Sequence, residues 1–130
     1  GFATAQDKYG EAYNALFDSL DWLEERLSSQ RYLVGGRLTE ADWRLFTTLI
    51  RFDAVYYSHF KCNRQRISDF PALSAYVRDL YQVPGVAETV DINQIKRHYY
   101  VSQRTINPTQ IVPVGPELDF DSPHGRESLS

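Results

Sequence analysis

Residues 31–63, RYLVGGRLTEADWRLFTTLIRFDAVYYSHFKCN, form the stretch around which the rest of the chain must pack. Within it, Thr39 stands where its hydroxyl can cap the first turn of a helix, and an acid follows three residues later at Asp42. A carboxylate near a helix N-terminus is stabilised there, so we assign Asp42 to capping and not to catalysis. This pattern predicts a helix that begins at Glu40.

The predicted central helix is apolar on more than one side. One set of apolar residues recurs at helical spacing and a second set lies off that face; the first is Trp43, Phe46, Leu49, Ile50 and Ala54, and the second is Leu45, Phe52 and Val55. This distribution predicts a helix that its neighbours bury from several directions. We therefore expect Asp53, on the same helix, to have a structural role like that of Asp42.

A long amphipathic helix is predicted before this stretch, over about residues 5–29. Thr4 begins a second capping pattern, and apolar residues then keep helical spacing as far as Leu27. We assign Tyr9 and Tyr13, one turn apart on this helix, to core packing.

Two shorter helices and an extended tail are predicted after the central helix. Pro71 suits the first turn of one helix, and Asp91 can cap another that ends near Tyr100. From Gln103 onward, recurrent proline excludes a long helix and predicts an extended segment packed on the domain through Ile106, Ile111, Val112 and Val114. We expect residues 126–130 to be loose.

Composition limits the class of protein. With 130 residues, 42% hydrophobic and 24% charged, the chain describes one domain with one core, and helices packed on helices make it all-α. A net charge of −3 gives no sign of nucleic-acid binding. No apolar run approaches the roughly 18 residues of a membrane span. A single cysteine fits a reducing compartment, and we expect the cytoplasm. Since the chain contains no Met, we expect it to begin partway through a longer protein.

Cys62 is a candidate nucleophile. His59 lies three residues earlier on the same helical face, and a histidine beside a thiol lowers its pKa. Single cysteines are, however, more often small, buried and inert. We therefore assign Cys62 to packing.

Two tyrosine pairs, Tyr56-Tyr57 and Tyr99-Tyr100, are a second candidate site. A tyrosine has an apolar ring and a hydroxyl that donates or accepts, so such pairs can hold an aromatic ring and bond the oxygens on its rim. Adjacent helical residues point about 100 degrees apart, so at most one of each pair faces a given cavity. Because the chain has nine Tyr, packing in the core explains these pairs equally well.

Several blocks of the sequence resemble a known family. LTEAD at residues 38–42, followed by an apolar helix, resembles the capped central helix of the all-helical C-terminal domain of cytosolic glutathione transferases. RLFTTLIRFDAVYYSHFKCN at 44–63, IKRHYY at 95–100 and INPTQIVPVGP at 106–116 resemble the glutathionyl-hydroquinone reductases, the xi-class, omega-like glutathione transferases. The resemblance extends from Gly1 to about Gly125. It implies a helical domain over residues 1–102 and a proline-containing tail over 103–130.

The resemblance also implies roles for the tyrosine blocks. In this family such tyrosines line the hydroquinone pocket, which implies catalytic roles for Tyr56 and Tyr99. It implies that Tyr57, Tyr100 and His59 bind substrate. The family usually has a histidine where this chain has Gln103, so an acid-base role at that position is lost while a hydrogen-bonding role remains.

The implied function is the substrate-binding and dimerisation half of a reductase that converts glutathionyl-hydroquinones to hydroquinones and releases glutathione disulfide. In that family the catalytic cysteine and most of the glutathione site lie in an N-terminal thioredoxin-like domain, which this chain lacks, so we expect the chain alone to be inactive. The expected partners are a small aromatic glutathione conjugate and a second copy of the chain, without nucleic acid, metal or membrane. The alternatives are a non-catalytic interaction module and an omega-like transferase or thiol reductase with another substrate.

Overall fold

The computed structural model describes every residue from Gly1 to Ser130, and all of its regular structure is helical. The helices are α1 (Gln6–Ser29), α2 (Glu40–Arg51), α3 (Tyr57–His59), α4 (Pro71–Tyr81) and α5 (Ile92–Ser102). A π-helical segment, Phe52–Tyr56, joins α2 to α3, and short 3-10 turns span Ile67–Asp69 and Ala87–Thr89. The all-helical prediction is confirmed. None of these helices combines the length and the apolar character that a membrane crossing requires.

The main core lies between α1, α2 and α4. Its buried side chains include Phe17, Leu20 and Leu27 of α1, Phe46, Leu49 and Ile50 of α2, and Leu73, Tyr76, Val77 and Leu80 of α4. A smaller cluster of Ala54, Val55 and Tyr100 joins α5 to the π-helical segment. The central helix is therefore buried from two directions, as its sequence predicts.

Asp42 is more than a helix cap. It forms a capping box with Thr39, whose backbone N–H donates to the Asp42 carboxylate at 2.9 Å. The same fully buried carboxylate accepts the Leu33 N–H at 2.9 Å and the Tyr76 hydroxyl at 2.7 Å. Burial and this last bond raise the pKa of Tyr76 far above its usual value. One side chain thus ties the approach loop and α4 to the start of α2.

Two of the three other polar residues with predicted structural roles act as predicted. Asp53 has the expected structural role, since it accepts the backbone N–H groups of Ile67 and Ser68 at 2.6 and 3.0 Å. Asp91 caps α5 by accepting the Gln94 N–H at 3.1 Å. The exception is Thr4 at the start of α1. Ala5 occupies the N-cap position there without a side-chain bond, so the predicted capping by Thr4 is wrong.

Arg126 is packed into the domain, contrary to the expectation that residues 126–130 are loose. Arg126 is only 3% exposed and donates to the carbonyls of Gln30 at 2.8 Å and Arg31 at 2.9 Å. Its Nε lies 3.9 Å from the buried Asp79 carboxylate, which also binds Arg31 through two 2.9 Å bonds. The bonds from Arg126 to Gln30 and Arg31 join residues 96 and 95 positions apart, which a local composition signal does not reveal.

The tail is held by polar contacts as well as by apolar packing. Ile111 and Val114 are exposed, so the prediction that these two side chains are buried is wrong. Instead, the buried ammonium group of Lys96 donates to the carbonyls of Pro113 at 3.3 Å and Val114 at 3.1 Å. Val112 does pack, against the small cluster around Tyr100.

Candidate functional site

The central helix changes from α to π geometry where the tyrosines begin. The Tyr57 N–H donates to the Phe52 carbonyl, five residues back, instead of the fourth residue back. Such π-bulges are frequent at functional sites, because the extra residue turns the side chains that follow toward a different neighbour. The periodicity of the sequence predicts an uninterrupted helix and gives no sign of this change. In the π-helical segment, Val55 packs in the cluster that contains Tyr100 of α5. Tyr56 contacts Tyr99 of the same helix.

Tyr56 and Tyr99, the tyrosine pair, meet between the π-helical segment and α5. Their hydroxyl oxygens are 3.3 Å apart, and their rings cross edge to face at 5.8 Å. Phe60 closes one side, stacked on Tyr56 at 5.3 Å and edge-on to Tyr99 at 5.8 Å. Both tyrosines are half-buried. The structure therefore brings together the two tyrosines to which the resemblance gives catalytic roles.

The tyrosine pair is built to donate hydrogen bonds. Burial, and then the bond to Tyr99, raise the pKa of Tyr56 well above its usual value, so Tyr56 remains a neutral phenol near neutral pH. With the hydroxyls only 3.3 Å apart, both can point at one ligand oxygen. This spacing suits a single oxygen better than the two oxygens of a hydroquinone, which stand at opposite ends of the ring. The geometry favours two donors on one oxygen.

His59 and Tyr100 lie behind the tyrosine pair. His59 is 4% exposed, and its Nε2 lies 2.8 Å from the Gln103 Oε1. Tyr100 is buried, makes a short hydroxyl contact with Ser58, and meets the His59 ring edge-on at 4.7 Å. These contacts clamp α3 to the end of α5, so burial favours a supporting role over direct contact with a ligand. Gln103 keeps the hydrogen-bonding role expected of it.

Tyr57 is not brought to this site. It is half-buried and lies under the Arg66 guanidinium, 5.3 Å from the ring centre, while its neighbour Tyr56 contacts α5. This divergence follows from the angle of about 100 degrees between adjacent helical residues.

Cys62 has no histidine partner. His59 bonds Gln103, whereas the Cys62 thiol has only a 3.8 Å contact with the Phe60 carbonyl. Burial raises the pKa of the thiol, which disfavours the reactive thiolate. The thiol lines a largely apolar cavity of about 230 Å³ together with Tyr9, Tyr13, Leu16 and Phe60. These features agree with the packing role assigned to Cys62.

Comparison with known proteins gives a consistent family. Residues 6–79 match the model of the glutathione S-transferase C-terminal domain. Glutathionyl-hydroquinone reductase YqjG of Escherichia coli is 55% identical over 127 residues, which are 98% of this chain and 39% of that protein. Glutathionyl-hydroquinone reductase PcpF of Sphingobium chlorophenolicum is 58% identical over 116 residues, 89% of this chain and 37% of that protein.

Solved structures show the same relationship. A xi-class glutathione transferase from Natrialba magadii superposes with a TM-score of 0.98 at 52% identity, over all of this chain and 41% of that one. The glutathione-bound structure of YqjG from Escherichia coli gives a TM-score of 0.96 at 54% identity, over 98% of this chain and 41% of that one. The chain thus spans about two fifths of the length of the relatives it matches.

Proposed function

The chain belongs to the glutathione S-transferase C-terminal domain family, and from this premise we propose that it is the substrate-binding and dimerisation half of a glutathionyl-hydroquinone reductase. The observation that carries the proposal is the tyrosine pair, two phenolic donors 3.3 Å apart beside the flat ring of Phe60. A non-catalytic interaction module has no need of this arrangement. Glutathione enters as co-substrate, and the remainder of the longer protein supplies most of its site.

The reaction proposed for the longer protein has three steps. The ring carbon that bears sulfur first takes a proton while the neighbouring ring hydroxyl loses one, which gives the keto tautomer of the glutathionyl-hydroquinone. A cysteine thiolate outside this chain then attacks the sulfur; a sulfur–sulfur bond forms, the carbon–sulfur bond breaks, and its electrons restore the aromatic ring and leave a phenolate oxygen that takes up a proton as hydroquinone leaves. A second glutathione thiolate then attacks the mixed disulfide, releasing glutathione disulfide and restoring the cysteine. The two glutathione sulfurs are oxidised to the disulfide and the ring carbon is reduced.

The tyrosine pair acts on the leaving aromatic molecule. Electron density moves into the ring as the carbon–sulfur bond breaks, and the negative charge that develops on a ring oxygen is stabilised by hydrogen-bond donors already in place. Tyr56 and Tyr99 supply two such donors when the hydroxyl that donates to its neighbour turns to the ligand oxygen. The edge of Phe60 and the clamp at His59 hold both rings in position.

We further propose that the protein works as a homodimer in the cytoplasm. Trp22 on α1 is 57% exposed, and a subunit interface would cover such a large apolar side chain. A glutathione-dependent reaction also fits the reducing compartment predicted from the single cysteine. Analytical ultracentrifugation of the wild type and Trp22→Glu tests the dimer, since the charged variant should sediment as a monomer.

The proposed function is tested by comparing the natural longer polypeptide with this chain alone. The longer polypeptide should convert glutathionyl-hydroquinone to hydroquinone when glutathione is supplied, and the isolated chain should show no turnover. Chromatographic detection of hydroquinone measures both. If the longer polypeptide shows no turnover while circular dichroism shows an intact fold, the proposal is wrong. An interaction module, or an omega-like enzyme with another substrate, is then favoured.

Cys62→Ser should keep most of the reductase rate of the longer polypeptide. Its thiol has a raised pKa and no basic partner, so it is not the attacking group. Steady-state kinetics with glutathionyl-hydroquinone measure the rate. Loss of activity with an unchanged fold, together with a glutathione adduct trapped on wild-type Cys62 and detected by mass spectrometry, would overturn this assignment.

A further inference from the structure

We propose that Tyr9 is a positioning residue for the tyrosine pair, because its hydroxyl holds the left-handed turn at Lys61 that sets Phe60 against Tyr56 and Tyr99. The inference rests on the proposed function for its meaning in catalysis. Tyr9 then affects the selectivity of the site for aromatic ligands and not the thiol chemistry. Its role goes beyond the core packing to which the sequence assigns it.

The turn after α3 has an unusual backbone. Lys61 has a φ of 59°, in the left-handed region that residues other than glycine seldom adopt. Its N–H donates to the Ser58 carbonyl at 3.4 Å, and the next N–H, of Cys62, donates to the Tyr56 carbonyl at 3.1 Å. The turn therefore folds back onto the backbone of Tyr56. Its shape and the position of that tyrosine are linked.

A hydroxyl from α1 fixes this turn. The Tyr9 hydroxyl donates to the Lys61 carbonyl at 2.6 Å, and the two residues are 52 positions apart. A non-glycine residue stays in the left-handed region only when its surroundings impose it. The Tyr9 bond is a tertiary contact made directly to the residue in that conformation. We infer that it favours the left-handed turn over the extended alternatives.

Phe60 connects the turn at Lys61 to the tyrosine pair. It immediately precedes Lys61, its ring stacks on Tyr56, and its edge meets Tyr99. A flat wall beside two hydroxyl donors fixes the plane in which an aromatic ligand can enter. If the turn relaxes, Phe60 moves and recognition of the aromatic ring is weakened. The attack on the substrate sulfur by a cysteine outside this chain is not affected.

The α1 helix offers a matched control. Tyr13 lies one turn after Tyr9, its ring packs on Tyr9 at 5.7 Å and on Phe17 at 4.9 Å, and its hydroxyl has no hydrogen-bond partner within the chain. Tyr13→Phe removes a hydroxyl from the same aromatic stack without touching the turn. Lys61→Gly is the rescue variant, because glycine adopts positive φ without steric cost and no longer needs the Tyr9 bond.

The test uses the natural longer polypeptide and two substrates, glutathionyl-hydroquinone and the mixed disulfide of glutathione with 2-mercaptoethanol. Tyr9→Phe should lower kcat/KM for the aromatic substrate about 2- to 12-fold, the equivalent of one neutral hydrogen bond, and leave the disulfide rate within about twofold. Tyr13→Phe should change neither rate. The double variant with Tyr9→Phe and Lys61→Gly should recover the aromatic rate, which a general loss of packing would not allow.

A crystal structure of the Tyr9→Phe polypeptide keeps this inference separate from the proposed function. We expect the Phe60 ring to leave its stacked position on Tyr56. An unmoved Phe60, equal losses on both substrates, or no recovery in the double variant would overturn the positioning role. If the wild-type polypeptide fails to turn over glutathionyl-hydroquinone while Phe60 moves as expected, the proposed function fails and the structural role of Tyr9 stands.

Discussion

Asp42→Ala should lower the free energy of unfolding by about 3–5 kcal/mol, because each buried donor that it leaves without a partner costs about 1–3 kcal/mol. The fully buried carboxylate accepts three hydrogen bonds, from the Leu33 N–H, the Thr39 N–H and the Tyr76 hydroxyl. Alanine leaves all three donors without this partner, and the Tyr76 hydroxyl is fully buried, away from water that could replace the lost bond. Urea unfolding followed by circular dichroism measures the loss.

Two further variants show whether the effect belongs to the network or to the cap alone. Thr39→Ala should cost about 1 kcal/mol, the usual contribution of a capping side chain. Tyr76→Phe removes only the donor to Asp42, so the double variant with Asp42→Ala should be less destabilised than the sum of the two single variants. If Asp42→Ala unfolds like Thr39→Ala, the carboxylate only caps the helix and does not join the loop to α4.

The sequence predicts the helices well because local signals determine them. Thr39, Asp42, Pro71 and Asp91 act within one turn of their own position, and the structure places α2, α4 and α5 where these residues indicate. What the sequence does not predict depends on contacts far along the chain. The burial of Arg126 is one such case, because its partners lie at the end of α1 and in the loop that follows.

The candidate site is predicted only in part for the same reason. Resemblance singles out Tyr56 and Tyr99, but nothing in the local pattern brings their hydroxyls within 3.3 Å. That contact depends on the π-helical segment, whose apolar residues have the composition of an ordinary helix. The resemblance also groups His59 and Tyr57 with the pair, while packing turns His59 inward to Gln103 and Tyr57 toward Arg66.

Tyr56→Phe and Tyr99→Phe should each lower kcat/KM for glutathionyl-hydroquinone in the longer polypeptide. Each change keeps the ring and removes one donor, so the loss should be about 0.5–1.5 kcal/mol for a neutral oxygen and up to about 3 kcal/mol if that oxygen carries charge. Because no cavity is made, the free energy of unfolding should barely change. Steady-state kinetics and urea unfolding of the same preparations check both expectations.

The double variant distinguishes one shared oxygen from two separate ones. Hydroxyls that both donate to the same ligand oxygen act as a unit, so their losses should not add. Hydroxyls that hold the two ends of a hydroquinone would give additive losses. Tyr81→Phe is the matched control, since its ring packs on Phe120 at 5.1 Å and its hydroxyl has no partner within the chain.

The most direct measurement is the ratio of kcat/KM for glutathionyl-hydroquinone to kcat/KM for a small non-aromatic glutathione mixed disulfide. The proposed role of the tyrosine pair predicts that this ratio falls in Tyr56→Phe and in Tyr99→Phe, and stays at the wild-type value in Tyr81→Phe. An unchanged ratio in both tyrosine variants, through equal losses on the two substrates or no loss on either, would contradict it and leave Tyr56 and Tyr99 as packing residues.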